Sequence, residues 1–135
     1  MKYLLDTNAC IHYLNHLDSP VRHRLERMHP ADVTLCSMVK AELYYGAFKS
    51  KQTARNLAAL EYLFSILTSL PFDDLAARIY GEIRSDLSVK GTLIGPNDMV
   101  IAATALACNI TLVTRNTKEF LRVSNLKVEN WESEE

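Results

Sequence analysis

Three acidic residues, Asp6, Glu42 and Asp98, stand where they could share one chemical site. Clustered carboxylates repel one another, and a bound cation relieves that repulsion. Mg²⁺ and Mn²⁺ prefer hard oxygen ligands and keep several of their waters. Such an ion can orient a phosphate and lower the pKa of a water that attacks it. The residue types therefore favour metal-assisted hydrolysis of a phosphate ester.

Each of the three carboxylates also has a purely structural interpretation. Asp6 ends an apolar run, where an aspartate often caps a helix. Asp98 could complement the dipole of a helix that begins near Gly95-Pro96, and Glu42 could be a solvated residue on a helix surface. The spacing of the three residues does not decide between a shared site and these alternatives.

The elements that must position these residues alternate along the chain. Apolar runs predict strands at residues 2–6, 33–36, 110–114 and 128–131, with a brief edge strand at 70–72. Helical patterns follow, with Ser19 and Ser37 as predicted caps and a long amphipathic segment from about Thr53 to Thr68. Such alternation predicts a three-layer α/β/α domain with a central parallel sheet of about four to five strands.

This architecture can bring the acidic residues to one edge of the sheet. Ligands of an open parallel sheet gather beyond the carboxyl ends of its strands. Asp6 closes the first predicted strand, and Thr114 and Asn116 follow a later one. Glu42 lies in the helix after the second strand, and Asp98 lies in the first turn of another helix. We therefore expect these residues to face a common edge.

Composition is compatible with a polyanionic substrate. The 135 residues suit one domain, residues 1–135, with an acidic tail at about 129–135. The net charge is -1, but four Glu lie among the last seven residues, so the remainder carries +3. A basic body around an acidic pocket suits nucleic acid, although a mixed solvated surface would look the same.

Cysteine usage and hydropathy favour a cytoplasmic location. The three cysteines have no C-x-x-C spacing, so we expect reduced thiols rather than a disulfide framework. The first residues contain no apolar segment of secretory length. The longest apolar stretch is too short to span a bilayer, so we expect no membrane association.

Four motifs carry a family resemblance, in the order Y-L-L-D-T-N, A-E-L-Y-Y-G-A, I-G-P-N-D-M-V-I-A-A and L-V-T-R-N-T-K-E-F. From Met1 to about Trp131 the chain resembles the PIN-domain family, and within it the VapC-type toxins of bacterial toxin–antitoxin modules. The resemblance implies a metal-dependent endoribonuclease. It also implies that Asp6, Glu42 and Asp98 are the acidic residues that coordinate Mg²⁺ or Mn²⁺, directly or through water.

The resemblance assigns further residues to the site. Asn116 matches a catalytic position that is frequently Asp in the family, and the loss of that charge could weaken a second metal site. Thr114 matches a position whose hydroxyl supports the site. Asn8 and Asn97 are expected as supporting donors.

The biological role follows from the same resemblance. It implies a homodimeric toxin that hydrolyses RNA, with tRNA as a candidate, by metal-activated water, and that a cognate VapB-like antitoxin inhibits. Two alternatives stay open: a PIN-type RNA-processing endonuclease without an antitoxin, and a non-catalytic PIN-fold binding module. A phosphatase with an aspartyl intermediate is disfavoured, because such enzymes commonly place a second Asp two residues after the first, where Asn8 stands here.

Overall fold

The computed structural model describes residues 1–132 of the chain. Strands and helices alternate along these residues. The strands are β1 (Tyr3–Leu5), β2 (Val33–Cys36), β3 (Thr68–Leu70), β4 (Thr111–Val113) and β5 (Val128–Glu129). The helices are α1 (Thr7–Asn15), α2 (Pro20–Glu26), α3 (Ser37–Lys49), α4 (Thr53–Ile66), α5 (Asp74–Val89), α6 (Pro96–Cys108) and α7 (Thr117–Phe120). A short 3-10 turn, Pro30–Asp32, precedes β2.

The five strands form one parallel sheet in the order β3-β2-β1-β4-β5. The central strand β1 pairs with β2 on one side and with β4 on the other, where Leu5 is opposite Val113. Helices connect the strands and cover both faces, which confirms the predicted three-layer α/β/α fold. Every residue of β2 is buried, as a parallel strand covered on both faces requires.

Side-chain caps fix where several helices begin. Ser19 caps α2, because its Oγ accepts the backbone N–H of Arg22 at 2.9 Å. Asp73 caps α5 in the same way, accepting the N–H of Ala76 at 2.9 Å. The prediction that Ser37 caps α3 was wrong: Cys36 occupies the capping position without a side-chain hydrogen bond, and Ser37 is the first helical residue.

Four strands differ from their predicted bounds, and β1 and β4 differ only in being one residue shorter at each end. The edge strand is Thr68–Leu70 rather than 70–72, because Pro71 has no N–H to continue the ladder with β2. The last strand is only Val128–Glu129. It pairs with β4 and ends before Trp131, which turns inward and is 2% exposed.

Aromatic and charged contacts hold the end of the described chain against the domain. Trp131 packs edge-on against Tyr3, with ring centroids 5.1 Å apart. The guanidinium of Arg24 lies over the Trp131 ring and pairs with Glu129 at 3.1 Å. Residues 129–132 of the acidic segment are therefore part of the packed domain, and its remaining residues, 133–135, lie outside the described part. No helix within residues 1–132 is long and apolar enough to cross a membrane.

Candidate active site

Asp6 lies at the carboxyl end of the central strand and begins α1. Its backbone N–H donates to the carbonyl of Val113 at 3.0 Å, which extends the pairing of β1 with β4. Its Oδ1 accepts the N–H of Ala9 at 2.8 Å, so it caps α1 as well as facing the sheet edge. The hydroxyl of the buried Thr114, just beyond β4, also hydrogen-bonds the carboxylate. Two strands and a helix thus fix the orientation of Asp6.

Burial makes the charge of Asp6 costly. The residue is 4% exposed, and desolvation raises its pKa to about 6. The hydrogen bonds from Thr114 and Ala9 oppose this rise, whereas the negative charges of Asp98 and Glu132 add to it. Asp6 is therefore a carboxylate that gains from a nearby cation.

Asp98 stands in the first turn of α6 and is partly buried. Burial raises its pKa, and the nearby charges of Glu42 and Glu119 raise it further. Because Asp98 also acts on the pKa of Asp6, these four carboxylates share one electrostatic field. The predicted trio therefore meets at one edge of the sheet, together with a fourth carboxylate.

Glu42 is held from two sides. Its Oε1 accepts the hydroxyl of Thr7 on α1 at 2.6 Å. Its Oε2 accepts the amide of Asn97 on α6 at 3.4 Å. The side chain on α3 is thus fixed between the first turns of two other helices, and Asn97 lies where the sequence predicts a supporting donor.

Glu119 was not among the predicted site residues. It lies in the first turn of α7, and its Oε2 accepts the amide of Asn116 at 3.0 Å. The backbone N–H of Asn116 in turn donates to Oγ1 of Thr114 at 2.9 Å. The sequence did contain a sign of this arrangement, because a Glu three residues after a helix-capping position commonly folds back toward that position.

Asn8, unlike Asn97 and Thr114, does not contact a site carboxylate in the described part of the chain. Its side chain is exposed and makes no hydrogen bond to any residue of the described chain. Its neighbour Thr7 makes the supporting contact with Glu42 instead.

The donor set suits a hard divalent cation. Within residues 1–132, no Lys or Arg forms an ion pair with any of the four site carboxylates. In the same range, no three His, Cys, Asp or Glu side chains are grouped closely enough to ligate one ion together. An ion at this edge would therefore bind one or two carboxylates directly and reach the others through water, as Mg²⁺ commonly does.

A groove, formed by two adjoining cavities, leads away from Glu42. The first, of about 540 Å³, lies between α1, α3 and α4. The second, of about 530 Å³, runs along α3 and reaches Thr7 and Asn97. Ile11, Glu42 and Gly46 line both cavities, so Glu42 stands where they meet.

Comparisons with known proteins point to one family. The family model described as PIN domain matches residues 3–126. The chain is 41% identical to Ribonuclease VapC2 of Rickettsia felis, over 98% of the chain and 99% of that protein. It is 38% identical to the tRNA(fMet)-specific endonuclease VapC of Shigella flexneri, over 97% of the chain and 98% of that protein.

A solved structure is similarly close. The crystal structure of VapBC2 from Rickettsia felis, bound to a DNA fragment from the promoter, contains a chain that superposes with a TM-score of 0.91. That chain is 41% identical, and the match covers 97% of this chain and 99% of that one.

Proposed function

This chain belongs to the PIN-domain family, and on that basis we propose that it is a metal-dependent endoribonuclease and the toxin of a toxin–antitoxin module. The observation that carries the proposal is the convergence of Asp6, Glu42, Asp98 and Glu119 at one sheet edge without a cationic partner in the described chain. The names of the relatives, ribonuclease and tRNA-specific endonuclease, support RNA as the substrate.

The site would take Mg²⁺ or Mn²⁺. Asp6 and Asp98 would hold the ion, with Glu42 and Glu119 reaching it through water. When bound, the cation supplies charge stabilisation on the scissile phosphate and lowers the pKa of the attacking water. No protein nucleophile is required.

The remaining residues orient the carboxylates. Thr114 and the N–H of Ala9 hold Asp6 in place, and their hydrogen bonds favour its ionised form. Thr7 and Asn97 hold Glu42 between them. Asn116, predicted as a catalytic residue, would act by positioning Glu119 through its 3.0 Å hydrogen bond. A supporting role for Asn8 stays a prediction.

A VapB-like antitoxin and a second copy of the chain are the proposed protein partners. Relatives of known structure were solved as VapBC complexes, among them one from Salmonella typhimurium bound to DNA. The first cavity of the groove has an apolar floor, including Leu43 and Leu60, that suits a partner segment. An arginine from such a segment could pair with the carboxylates and compete with the metal. The cytoplasmic location stays a prediction.

Cleavage of a labelled RNA by the purified protein tests the proposal. We expect initiator tRNA, chosen after the Shigella relative's name, to be cut with Mg²⁺ or Mn²⁺ and left intact with EDTA. Asp6→Asn and Asp98→Asn should abolish cutting without unfolding the protein, whereas Asp73→Asn, a capping aspartate outside the site, should not. Full cleavage by either site variant would refute the assignment.

The two alternatives give different results. A non-catalytic binding module would bind RNA but leave it uncut with either metal. An RNA-processing enzyme would cut RNA, yet its induced expression would be harmless and no antitoxin frame would lie beside its gene. A toxin should arrest growth on induction, and co-expression of the neighbouring VapB-like protein should restore growth.

A further inference from the structure

The second cavity of the groove carries an exposed aromatic ring and a cation beside the site. Tyr45 is 67% exposed on α3. The ammonium of Lys49 lies 4.9 Å from the centroid of its ring. Both residues line the cavity that Glu42 and Asn97 also line. Proteins bind single-stranded nucleic acids with this combination of groups: an exposed aromatic ring stacks on a base, and an adjacent positive charge neutralises a phosphate.

The helix geometry places this pair next to the proposed chemistry. Glu42, Tyr45 and Lys49 are three and four residues apart along α3, so they lie on one face of the helix. At a rise of about 1.5 Å per residue, Tyr45 is roughly 4.5 Å and Lys49 roughly 10 Å beyond Glu42 along the helix axis. These separations would allow both side chains to contact the nucleotide next to a scissile phosphodiester bond that lies beside Glu42.

Gly46 keeps the cavity open. A glycine inside a helix costs about 1 kcal/mol relative to alanine. A Cβ at this position would meet no atom within 4 Å, so packing does not require the glycine. Gly46 lines both cavities, and the missing side chain leaves room at their junction.

Neither Tyr45 nor Lys49 has another partner that accounts for its position. In the described chain, Lys49 forms no ion pair, and the Tyr45 hydroxyl forms no hydrogen bond. The neighbouring Tyr44 differs, because its ring packs against Phe64 with centroids 5.3 Å apart. Tyr44 is thus engaged in packing, whereas Tyr45 faces the groove.

From this arrangement we propose that Tyr45 and Lys49 form a nucleotide subsite, in which Tyr45 stacks on the base next to the scissile phosphate and Lys49 neutralises the following phosphate. The proposal rests on the proposed ribonuclease function and adds the route by which RNA enters the site. The cation favours a polyanion over a protein at this second cavity, since Lys49 would need an acidic partner to be covered by protein.

Binding of two oligonucleotides separates the base contact from the phosphate contact. The probes are a fluorescein-labelled dodecamer of uridylate and a dodecamer of the same backbone without bases. Affinities are measured with Mg²⁺ in the Asp6→Asn protein, so that neither probe is cut. Tyr45→Ala should weaken binding of the uridylate roughly 5- to 100-fold, the range for loss of one stacked base, and leave binding of the abasic probe unchanged.

Lys49→Met should weaken binding of both probes. It should also reduce the slope of log affinity against log salt by about 0.7, the value for one phosphate contact on a single strand. Tyr45→Phe should bind like the parent, because stacking needs only the ring.

Two control variants match the tested ones. Tyr62→Ala removes an equally exposed tyrosine, 66% accessible, that lines a separate cavity. Lys127→Met removes an exposed lysine outside the groove. Both should bind the two probes like the parent.

The subsite is refuted if Tyr45→Ala binds uridylate as the parent does, or if it loses equal affinity for the abasic probe. Unchanged binding of both probes by both groove variants would mean that this face contacts something else, such as a protein partner. Cleavage of RNA by the wild-type protein is scored separately. If the wild type cleaves RNA and Tyr45→Ala binds uridylate normally, only the subsite is contradicted. If the wild type does not cleave RNA, the proposed function is contradicted.

Discussion

Replacing Asp6 with Asn should make the metal-free protein more stable while it abolishes cleavage of RNA. The side chain is 4% exposed, and burial raises its pKa from 3.8 to about 6. At neutral pH the folded protein therefore holds a buried charge that the unfolded chain exposes to water. At about 1.4 kcal/mol for each tenfold change in proton affinity, the ionised Asp6 costs the folded state about 3 kcal/mol, with its hydrogen bonds and neighbouring charges already included.

The substitution removes the charge and keeps the helix cap. An amide oxygen can accept the N–H of Ala9 as the carboxylate does at 2.8 Å. The amide NH₂ cannot accept the hydroxyl of Thr114 and adds a buried donor, so we expect a smaller net gain of about 1–2 kcal/mol in the free energy of unfolding. For a chain of 135 residues, this gain corresponds to a rise in Tm of roughly 3–8 °C.

The gain should depend on pH in one direction. Above about pH 6, Asp6 is ionised in both states and the folded protein bears the full penalty. As the pH falls toward 3.8, the folded protein takes up the proton before the unfolded chain does, so the penalty fades. The wild type and Asp6→Asn should therefore differ most above about pH 7 and converge near pH 4.

Thermal unfolding in EDTA at several pH values measures this difference. Asp73→Asn is the matched control, because Asp73 also caps a helix through an N–H at 2.9 Å but is exposed. Added Mg²⁺ should raise the Tm of the wild type and not that of Asp6→Asn. A different result would contradict the prediction: Asp6→Asn less stable than the wild type at pH 7.5, with Asp73→Asn unchanged. The hydrogen bonds that the carboxylate makes would then outweigh the cost of burying its charge.

Three further predictions concern other parts of the molecule. Glu119→Gln should raise the Mg²⁺ concentration that gives half-maximal cleavage roughly 10- to 100-fold. The control Glu61→Gln, which changes an exposed glutamate, should leave that concentration unchanged. If Glu119→Gln needs the same Mg²⁺ concentration as the wild type, Glu119 is excluded from the site. Gly46→Leu should stabilise the protein by about 0.5–1 kcal/mol in urea unfolding, because leucine is a better helix former than glycine and the site has room for a side chain. The same substitution should raise KM for RNA, because the leucine fills the groove. An unchanged KM would contradict the groove as the path of the RNA. Trp131→Ala should cost about 3–5 kcal/mol in urea unfolding, and a loss below about 1 kcal/mol would show that residues 129–132 do not anchor the domain.

The order of the elements could be predicted from the sequence because each leaves a local trace. Apolar runs mark the buried strands, and a capping residue such as Ser19 marks a helix start. The bounds of β3 and β5 depend on which partner strand is available, and that information lies elsewhere in the chain. Hydrophobic pattern alone therefore could not place the edge strand at Thr68–Leu70.

The candidate site could be predicted only in part. Asp6, Glu42 and Asp98 stand in motifs that resemble those of the family, whereas Glu119 enters through a helical turn after Asn116. The family motif points to residue 116 for a fourth acidic side chain, because the family often has Asp there. The hydrogen bond between Thr7 and Glu42 joins residues 35 positions apart, and no local pattern encodes such a contact.

The central position of β1 has a consequence for the protein's synthesis. β1 needs β4, whose residues 111–113 are synthesised about 100 residues later, to cover its second edge. Asp98 and Glu119 emerge equally late, so a partly made chain holds Asp6 and Glu42 without the other carboxylates. Until Glu119 is synthesised, the chain on the ribosome therefore lacks one of the four site carboxylates. Until β4 is synthesised, one side of β1 stays unpaired.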